Sequence, residues 1–569
     1  MRSRLLTAAL VIAVMCASGG VLAPAALGSA NQVSIIQDSV QMLDAPAQTM
    51  STFRALGVRT VRIIVVWAQV APSAEASKAP RGFKASDPSS YPAGNWAPYD
   101  QMIELAHQNG LGVDLTLSGG APRWAEGSAI PRAALDNQFW AWRPSASAFG
   151  QFARAAGERY SGTYVPPGQS TPLPRVNFWA IWNEPNFGED LGPQAVNGST
   201  VSVAPGMYRA LAGQMWTALQ ATGHGHDTIL IGEFAPRGLS GAANRTHPQG
   251  LPGEFGQTKP LQFLRTLYCL DSSYRELRGR AASAVGCPTT AAGSRRFRRQ
   301  NPALFNATGF ADHPYPDNAP PNIETSTDPD IATFPRIPTL EHELDRIQRI
   351  YGSGKRFPIY STEYGYITHP PNHDSYVSPA TAAYYINWAE YLSWKQPRVA
   401  STMQYLLNDP PLTAALTRGD GGFTSGLLFA NGKAKPAFAA YRLPLFLPVT
   451  SARRIRSLEV WGCVRPARYA ILGAAGLPGT SSGSPQTGPN GQSQTARIQF
   501  ARGTSGRFTT LRTVTISNPN SCYFDVRMRF PGSGTVRLAY SYPNNPLLLF
   551  PPSFEGATVY SRSVAIRLR

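Results

Sequence analysis

From Thr450 to its C-terminus the chain has no lysine, yet it carries fifteen arginines against only three acids, Glu459, Asp525 and Glu555. Cysteine is scarce, at five in 569 residues, and no CxxC pair or closely spaced histidine partner accompanies it. That excludes the usual structural zinc sites, and no metal is expected. No GxGxxG turn and no phosphate-cradling loop follows an early strand, which argues against a dinucleotide-binding doubly wound sheet and leaves no cofactor expected. A nucleophile elbow and a Ser-His-Asp order are both missing, and His224 to His226 fall in a helix-to-strand turn rather than a ligand cluster. The basic run Ser294 to Gln300 reads as a solvated loop, and without a nucleic-acid-binding motif beside it no nucleic acid partner is expected. Beyond the N-terminal segment nothing is apolar enough to span a bilayer.

What the chain does have is length and apolar content. With 43% hydrophobic and 10% aromatic residues it can bury a large core, and 569 residues imply two or more domains. Residues 1–30 read as a secretory signal peptide: Arg2 and Arg4, an apolar run, then small residues at Gly28 and Ala30, with Ala25 as a second cleavage position. An anchor helix is the competing reading, opposed by Gly19, Gly20 and Pro24; Met15 before Cys16 opposes a lipoprotein. The expected product is secreted or associated with the cell envelope, with no transmembrane segment. Four cysteines then remain, allowing three pairings. Local bonds, Cys269 with Cys287 and Cys463 with Cys522, keep each pair within one domain and suit an oxidising compartment. The formal charge of +18 falls to +16 without the leader, and the region from Thr450 supplies +12 of it. This asymmetry suggests either a solvated basic surface or attraction to an anionic cell-surface polymer.

Between Val33 and about Leu443, eight short apolar runs alternate with amphipathic segments, the pattern of βα units around a parallel sheet. The runs begin at VSIIQDS and end at VASTMQYLLND; helical segments between them open at Ser145 and Ser378 and stop at Gly110. The expected fold class is α/β, a (β/α)8 TIM barrel over residues 31–445, followed by a smaller all-β sandwich over 450–569. Insertions at Ala68 to Pro98 and Pro236 to Asn306 would rise over the C-terminal face of the barrel. The sandwich expectation rests on six short β-type runs, from SLEVWGCV to RSVAIRL, without helical periods. A Gly/Pro-rich stretch from Gly473 to Thr495 reads as a mobile loop within it.

Glu184 ends the fourth run in VNFWAIWNEP, and Glu363 lies near the end of the seventh in IYSTEYGY. In a closed barrel these ends share one mouth, so two acids 179 positions apart can face each other. Glycoside cleavage needs such a pair: one carboxyl protonates the leaving oxygen, the other attacks the anomeric carbon or activates water.

The NEP after the fourth run, the HPYP from His313 to Pro316 after the sixth and the TEYG of the seventh resemble the clan of retaining glycoside hydrolases with catalytic glutamates on strands four and seven, families 5 and 39 being nearest in flavour. The resemblance covers about Val33 to Arg442. It implies Glu184 as acid/base and Glu363 as nucleophile, and Asn183 as a partner of the sugar 2-hydroxyl. It further implies Tyr315 as a hydrogen-bond donor to the nucleophile, His313 as a positioning group, and Arg62 as the cation that keeps the nucleophile ionised. Where such enzymes often carry a strand-eight Trp under the sugar, this chain has Gln404 and Tyr405. Trp67, Trp124, Trp140, Trp142 and Phe187 are candidate stacking residues, of which about two are expected to touch substrate. Glu233 is a reserve acid. The implied activity is O-glycosyl hydrolysis of a poly- or oligosaccharide by double displacement; the alternatives are a non-catalytic polysaccharide-binding barrel and a transglycosylase. The C-terminal portion looks like an immunoglobulin or fibronectin type III module.

Overall fold

The computed structural model describes residues 29, 31–131, 141–196, 201–239, 252–411, 422–475, 494–503, 506–516, 518, 520–545, 548 and 550–569. The expected leader, Trp140 and nearly all of the polar loop from Gly473 lie outside the described residues.

All eight apolar runs form strands of one parallel sheet: β1 (Val33–Gln37), β2 (Thr60–Val66), β3 (Gly112–Ser118), β4 (Phe178–Ile181), β5 (Thr228–Phe234), β6 (Gly309–Asp312), β7 (Ile359–Ser361) and β8 (Ser401–Tyr405). Sequence neighbours are sheet neighbours, and β8 returns to pair with β1. The last seam closes at Ile359, whose N–H donates to the Arg398 carbonyl and whose carbonyl accepts from the Ala400 N–H, both at 2.8 Å. Helices pack outside this ring. Ser145 caps Ala146–Arg159 and Ser378 caps Pro379–Lys395, each accepting a backbone N–H with its hydroxyl, while Gly110 takes the left-handed conformation just past Ala93–Gln108. Among the described residues no helix is long and apolar enough to cross a membrane.

Strand alternation decides what enters the barrel. On β2, Val61, Ile63 and Val65 pack behind the strand, which turns Arg62 inward. On β5 a register shift falls between Gly232 and Phe234, with Glu233 at φ +57°. This bulge re-aims the chain. Phe234 turns outward into edge-to-face contact with Phe263 and Phe310, while the Glu233 carboxylate reaches Arg62 and His313.

The C-terminal portion supplies β9 (Leu445–Phe446), β10 (Ser451–Ala452), β11 (Leu458–Cys463), β12 (Thr495–Arg502), β13 (Thr509–Thr515), β14 (Tyr523–Met528), β15 (Gly534–Ser541), β16 (Thr558–Tyr560) and β17 (Val564–Leu568). They form two sheets, β10-β17-β15-β12-β13 with β16 added to β15, and β14-β11-β9, so a barrel is followed by a β-sandwich. Disulfides join Cys269 to Cys287 and Cys463 to Cys522. Two local expectations are corrected. Ser294 to Gln300 is not a loop but part of the helix Ala291–Gln300, anchored by the buried Phe297. A helix, Ala467–Ala475, interrupts the β-type region; Tyr469, Ala470 and Ile471 are all fully buried, and Arg468 is the one charged residue of the segment, too little to set a helical period.

The two portions meet at the N-terminal ends of the barrel strands, away from the ends carrying Glu184 and Glu363. Tyr523 donates to the side chain of Gln32, just before β1, and Tyr469 to the carbonyl of Val58, just before β2. A buried Arg465–Glu390 ion pair and an aromatic cluster of Tyr391, Phe446 and Trp461 complete the contact.

Candidate active site

The site is built where β4, β5, β6, β7 and β8 leave the sheet. Four non-glycine residues there have left-handed backbone: Trp182 at φ +68°, Glu184 at +36°, Glu233 at +57° and Leu406 at +78°. Each such residue costs about 1–3 kcal/mol and persists only where neighbours enforce it. After β4 the enforcement is visible. The Asn183 N–H donates to Ser118 Oγ at 3.0 Å, Asn186 bridges the Ala235 and Thr258 carbonyls, and Gln194 donates to the Pro185 carbonyl.

Arg62 organises the interior. Its Nη1 donates to Gln37 Oε1 at 2.5 Å and to Glu363 Oε1 at 2.6 Å, and its Nη2 to Asn183 Oδ1 at 2.8 Å and to Glu233. The second oxygen of Glu363 accepts from the Tyr315 hydroxyl at 2.9 Å. His313 spans the remaining gap, with Nδ1 2.8 Å from Glu184 Oε1 and Nε2 3.0 Å from Glu233 Oε2. One carboxylate oxygen from each of Glu184 and Glu363 and a ring nitrogen of His313 lie within 4.8 Å of one another.

Burial and partners set the charges. Burial pushes the Glu184 carboxyl above its ordinary value and outweighs its contact with His313; the charge of Glu363 pushes the same way. Burial would also raise Glu233, but Arg62 and then His313 outweigh it and hold that carboxyl below the usual range. For His313 burial favours the neutral ring, yet Glu363, Glu184 and Glu233 lift it to about 10, so it is a cation at neutral pH. Of the described residues, Glu184, His313 and Glu363 are the trio close enough to surround a metal ion. A protonated imidazole with both nitrogens directed at carboxylates has no lone pair to give one.

The candidates from the sequence do not all gather here. Glu184, Glu363, Asn183, His313, Tyr315 and Arg62 form one connected network. Trp67 does not join it: its indole is fully buried between Phe149, Phe152 and Trp124, because the short helix after β2 folds it back under the barrel's flank. Trp124 belongs to the same cluster and donates to the Pro72 carbonyl at 3.1 Å; Trp142 is buried against Phe255. Glu233 is fully enclosed and holds Arg62 and His313 in place. Sequence reasoning missed Asp190 and Gln37. Asp190 accepts from Asn183 Nδ2 at 3.1 Å, and burial and the nearby Glu184 push its carboxyl well above the ordinary range. Only the fold brings it there, since its spacing from Asn183 follows no motif.

A cavity of about 480 Å³ opens beside these groups, lined by Gln37, Gln69, Tyr99, Asn183, Asp190 and Tyr405 among others. A larger one, about 830 Å³, lies apart from the acids, by Trp96, Asp100, Arg159 and Tyr164. The smaller is the one next to the chemistry. Tyr405, Tyr315 and Phe423 form an aromatic group at its edge, with ring centroids 5.3–6.2 Å apart.

No family model and no curated protein matches the chain. Among solved structures it is similar to a family 39 glycoside hydrolase from Bacteroides cellulosilyticus WH2, at 13% identity over 88% of this chain and 80% of that one, with a TM-score of 0.45. A glucosidase from Croceicoccus marinus aligns at 10% identity over 95% of both chains, with a TM-score of 0.44. A family 1 β-glucosidase from Thermotoga maritima does so at 15% identity over 70% of this chain and 86% of that one, with a TM-score of 0.41.

Proposed function

We propose that the protein is a secreted glycoside hydrolase that cleaves O-glycosidic bonds of a poly- or oligosaccharide with retention, using residues 31–445 as its catalytic domain. The observation that carries this reading is the separation of the two acids: carboxylate oxygens of Glu184 and Glu363 within 4.8 Å of each other. Retaining pairs stand about 5–5.5 Å apart, whereas inverting pairs stand about 6.5–9.5 Å apart to admit a water.

The two acids are held differently, as the two roles require. Arg62 and Tyr315 each donate to one oxygen of Glu363, fixing it as the nucleophile. Its carboxylate forms a bond to the anomeric carbon as the bond to the leaving oxygen breaks. Glu184, raised by burial, gives its proton to that oxygen. In the second step Glu184 takes a proton from water, whose oxygen displaces Glu363 and releases the sugar. The His313 cation positions Glu184 through Nδ1. Asn183, with Oδ1 accepting from Arg62 and one Nδ2 hydrogen given to Asp190, retains a second amide hydrogen for a sugar hydroxyl.

A panel of aryl glycosides tested with wild type and Glu363→Gln checks the assignment. The variant is expected to fold normally and lose about 10⁴-fold or more of turnover. Hydrolysis at the wild-type rate by this variant would remove Glu363 from the mechanism.

A further inference from the structure

A second organised set of polar and aromatic side chains lies on the outward face of β12, β15 and β16. Ala496, Ile498, Phe500, Val536 and Leu538 are buried, so the alternating positions Arg497, Gln499 and Arg537 face away from the sandwich core. Register places Arg497 opposite Thr513 and Ala539, Gln499 opposite Thr510 and Arg537, and Tyr560 opposite Ala539. Ala539, fully buried, separates Arg497 from Tyr560 on this face.

Both guanidinium groups are fixed by neutral partners. The central carbon of Arg537 stands 3.8 Å from the centroid of the Phe508 ring and 3.7 Å from that of Tyr560, and its Nε donates to Gln499 Oε1 at 2.9 Å. Arg497 donates to Ser541 Oγ at 3.1 Å. Among the described residues neither forms an ion pair. The acids of this portion are few, and Glu459 is already engaged by Lys395, Arg527 and Tyr391. Two preorganised forks of N–H donors without a carboxylate therefore stand beside a Tyr560 ring that is 40% exposed, on a portion of net charge +12.

We propose that this face binds an acidic polysaccharide, with Arg537 and Arg497 receiving uronate carboxylates and Tyr560 packing on the apolar face of a sugar ring. A planar guanidinium matches a carboxylate in bidentate geometry, and one already held between rings loses little freedom on binding. Aromatic rings supply the matching surface for sugar C–H groups. The surrounding arginines steer a polyanion toward the face. Because the sandwich docks at the opposite end of the barrel from Glu184 and Glu363, the face acts as a tether that raises the local concentration of polymer rather than as a subsite of the cleft.

The test uses the full-length protein carrying Glu363→Gln, so that binding is read whether or not the catalytic reading holds. Titration calorimetry compares polygalacturonate, the same polymer fully methyl-esterified, and duplex DNA. The expected result is binding to polygalacturonate, loss of binding on esterification, and DNA at least about 10-fold weaker. Affinity for polygalacturonate should fall by about 10-fold in Arg537→Gln and about 5-fold in Arg497→Gln and Tyr560→Ala. Thermal melting checks the fold of Arg537→Gln; Arg497→Gln, which packs on no ring among the described residues, decides the matter if that variant unfolds. Absence of binding, equal binding of the methyl ester, equal binding of DNA, or variants that bind like the parent would each overturn the proposal.

Discussion

The barrel mouth and the outer face of the sandwich both carry organised arginines, and they hold them in opposite ways. Arg62 is fully buried, and every partner of its Nη atoms is a side-chain oxygen, two of them from carboxylates; this holds its charge more firmly than in water. Arg537 lies half-buried at a surface, meets two aromatic rings and an amide, and forms no ion pair among the described residues. The same side chain is in one place part of a closed electrostatic network and in the other an open donor. Chemistry needs the first arrangement, because charge that develops on a substrate is stabilised by groups already oriented in a medium of low dielectric. Recruitment needs only the second.

Substitutions in the two regions should produce effects of very different size. Arg62→Met leaves Glu233 and Glu363 without the guanidinium they share, and is expected to destabilise the fold by about 3–5 kcal/mol, read as a lower denaturant midpoint. Glu184→Ala should lower turnover by about 10²–10⁴-fold, most for poor leaving groups, and added azide should restore it as a glycosyl azide product. Since the Glu184 carboxyl is raised, the parent enzyme stays active above the usual carboxylate range and loses activity as pH climbs through that raised value; the alanine variant should lack this limb. Tyr315→Phe removes one hydrogen bond to Glu363, and about a 10-fold fall in kcat with little change in stability is expected from steady-state kinetics. At the small end, Arg537→Gln should shift stability by no more than about 1 kcal/mol and leave the hydrolysis of small aryl glycosides unchanged. A large loss of activity there would mean that the two regions are coupled.

The fold was legible because β and α periods differ sharply: every apolar run from VSIIQDS to VASTMQYLLND became a barrel strand. What stayed hidden were departures from regular geometry. The GEF of β5 reads as plain alternation, yet the bulge at Glu233 brings that carboxylate to Arg62 and sends Phe234 to the helices. The helix Ala467–Ala475 has a single charged residue, Arg468, to betray it, and its Tyr469 packs against the barrel. In the site, residues placed at strand ends met across the mouth, as closure of the barrel requires. Trp67 misled because an indole suits a core and a sugar equally, and only burial separates the two. Asp190 was invisible because its role depends on the path of the loop from Asn183, not on its neighbours in sequence.

Covalent trapping tests directly whether Glu363 is the nucleophile. The protein is incubated with a panel of 2-deoxy-2-fluoro glycosides bearing a good leaving group, digested, and analysed by peptide mass spectrometry. The account predicts one fluorosugar per chain, attached to the peptide at Glu363, with activity recovering as the adduct turns over. An adduct on Glu184 or Glu233, or hydrolysis of these reagents with inversion at the anomeric carbon and no adduct, would contradict it.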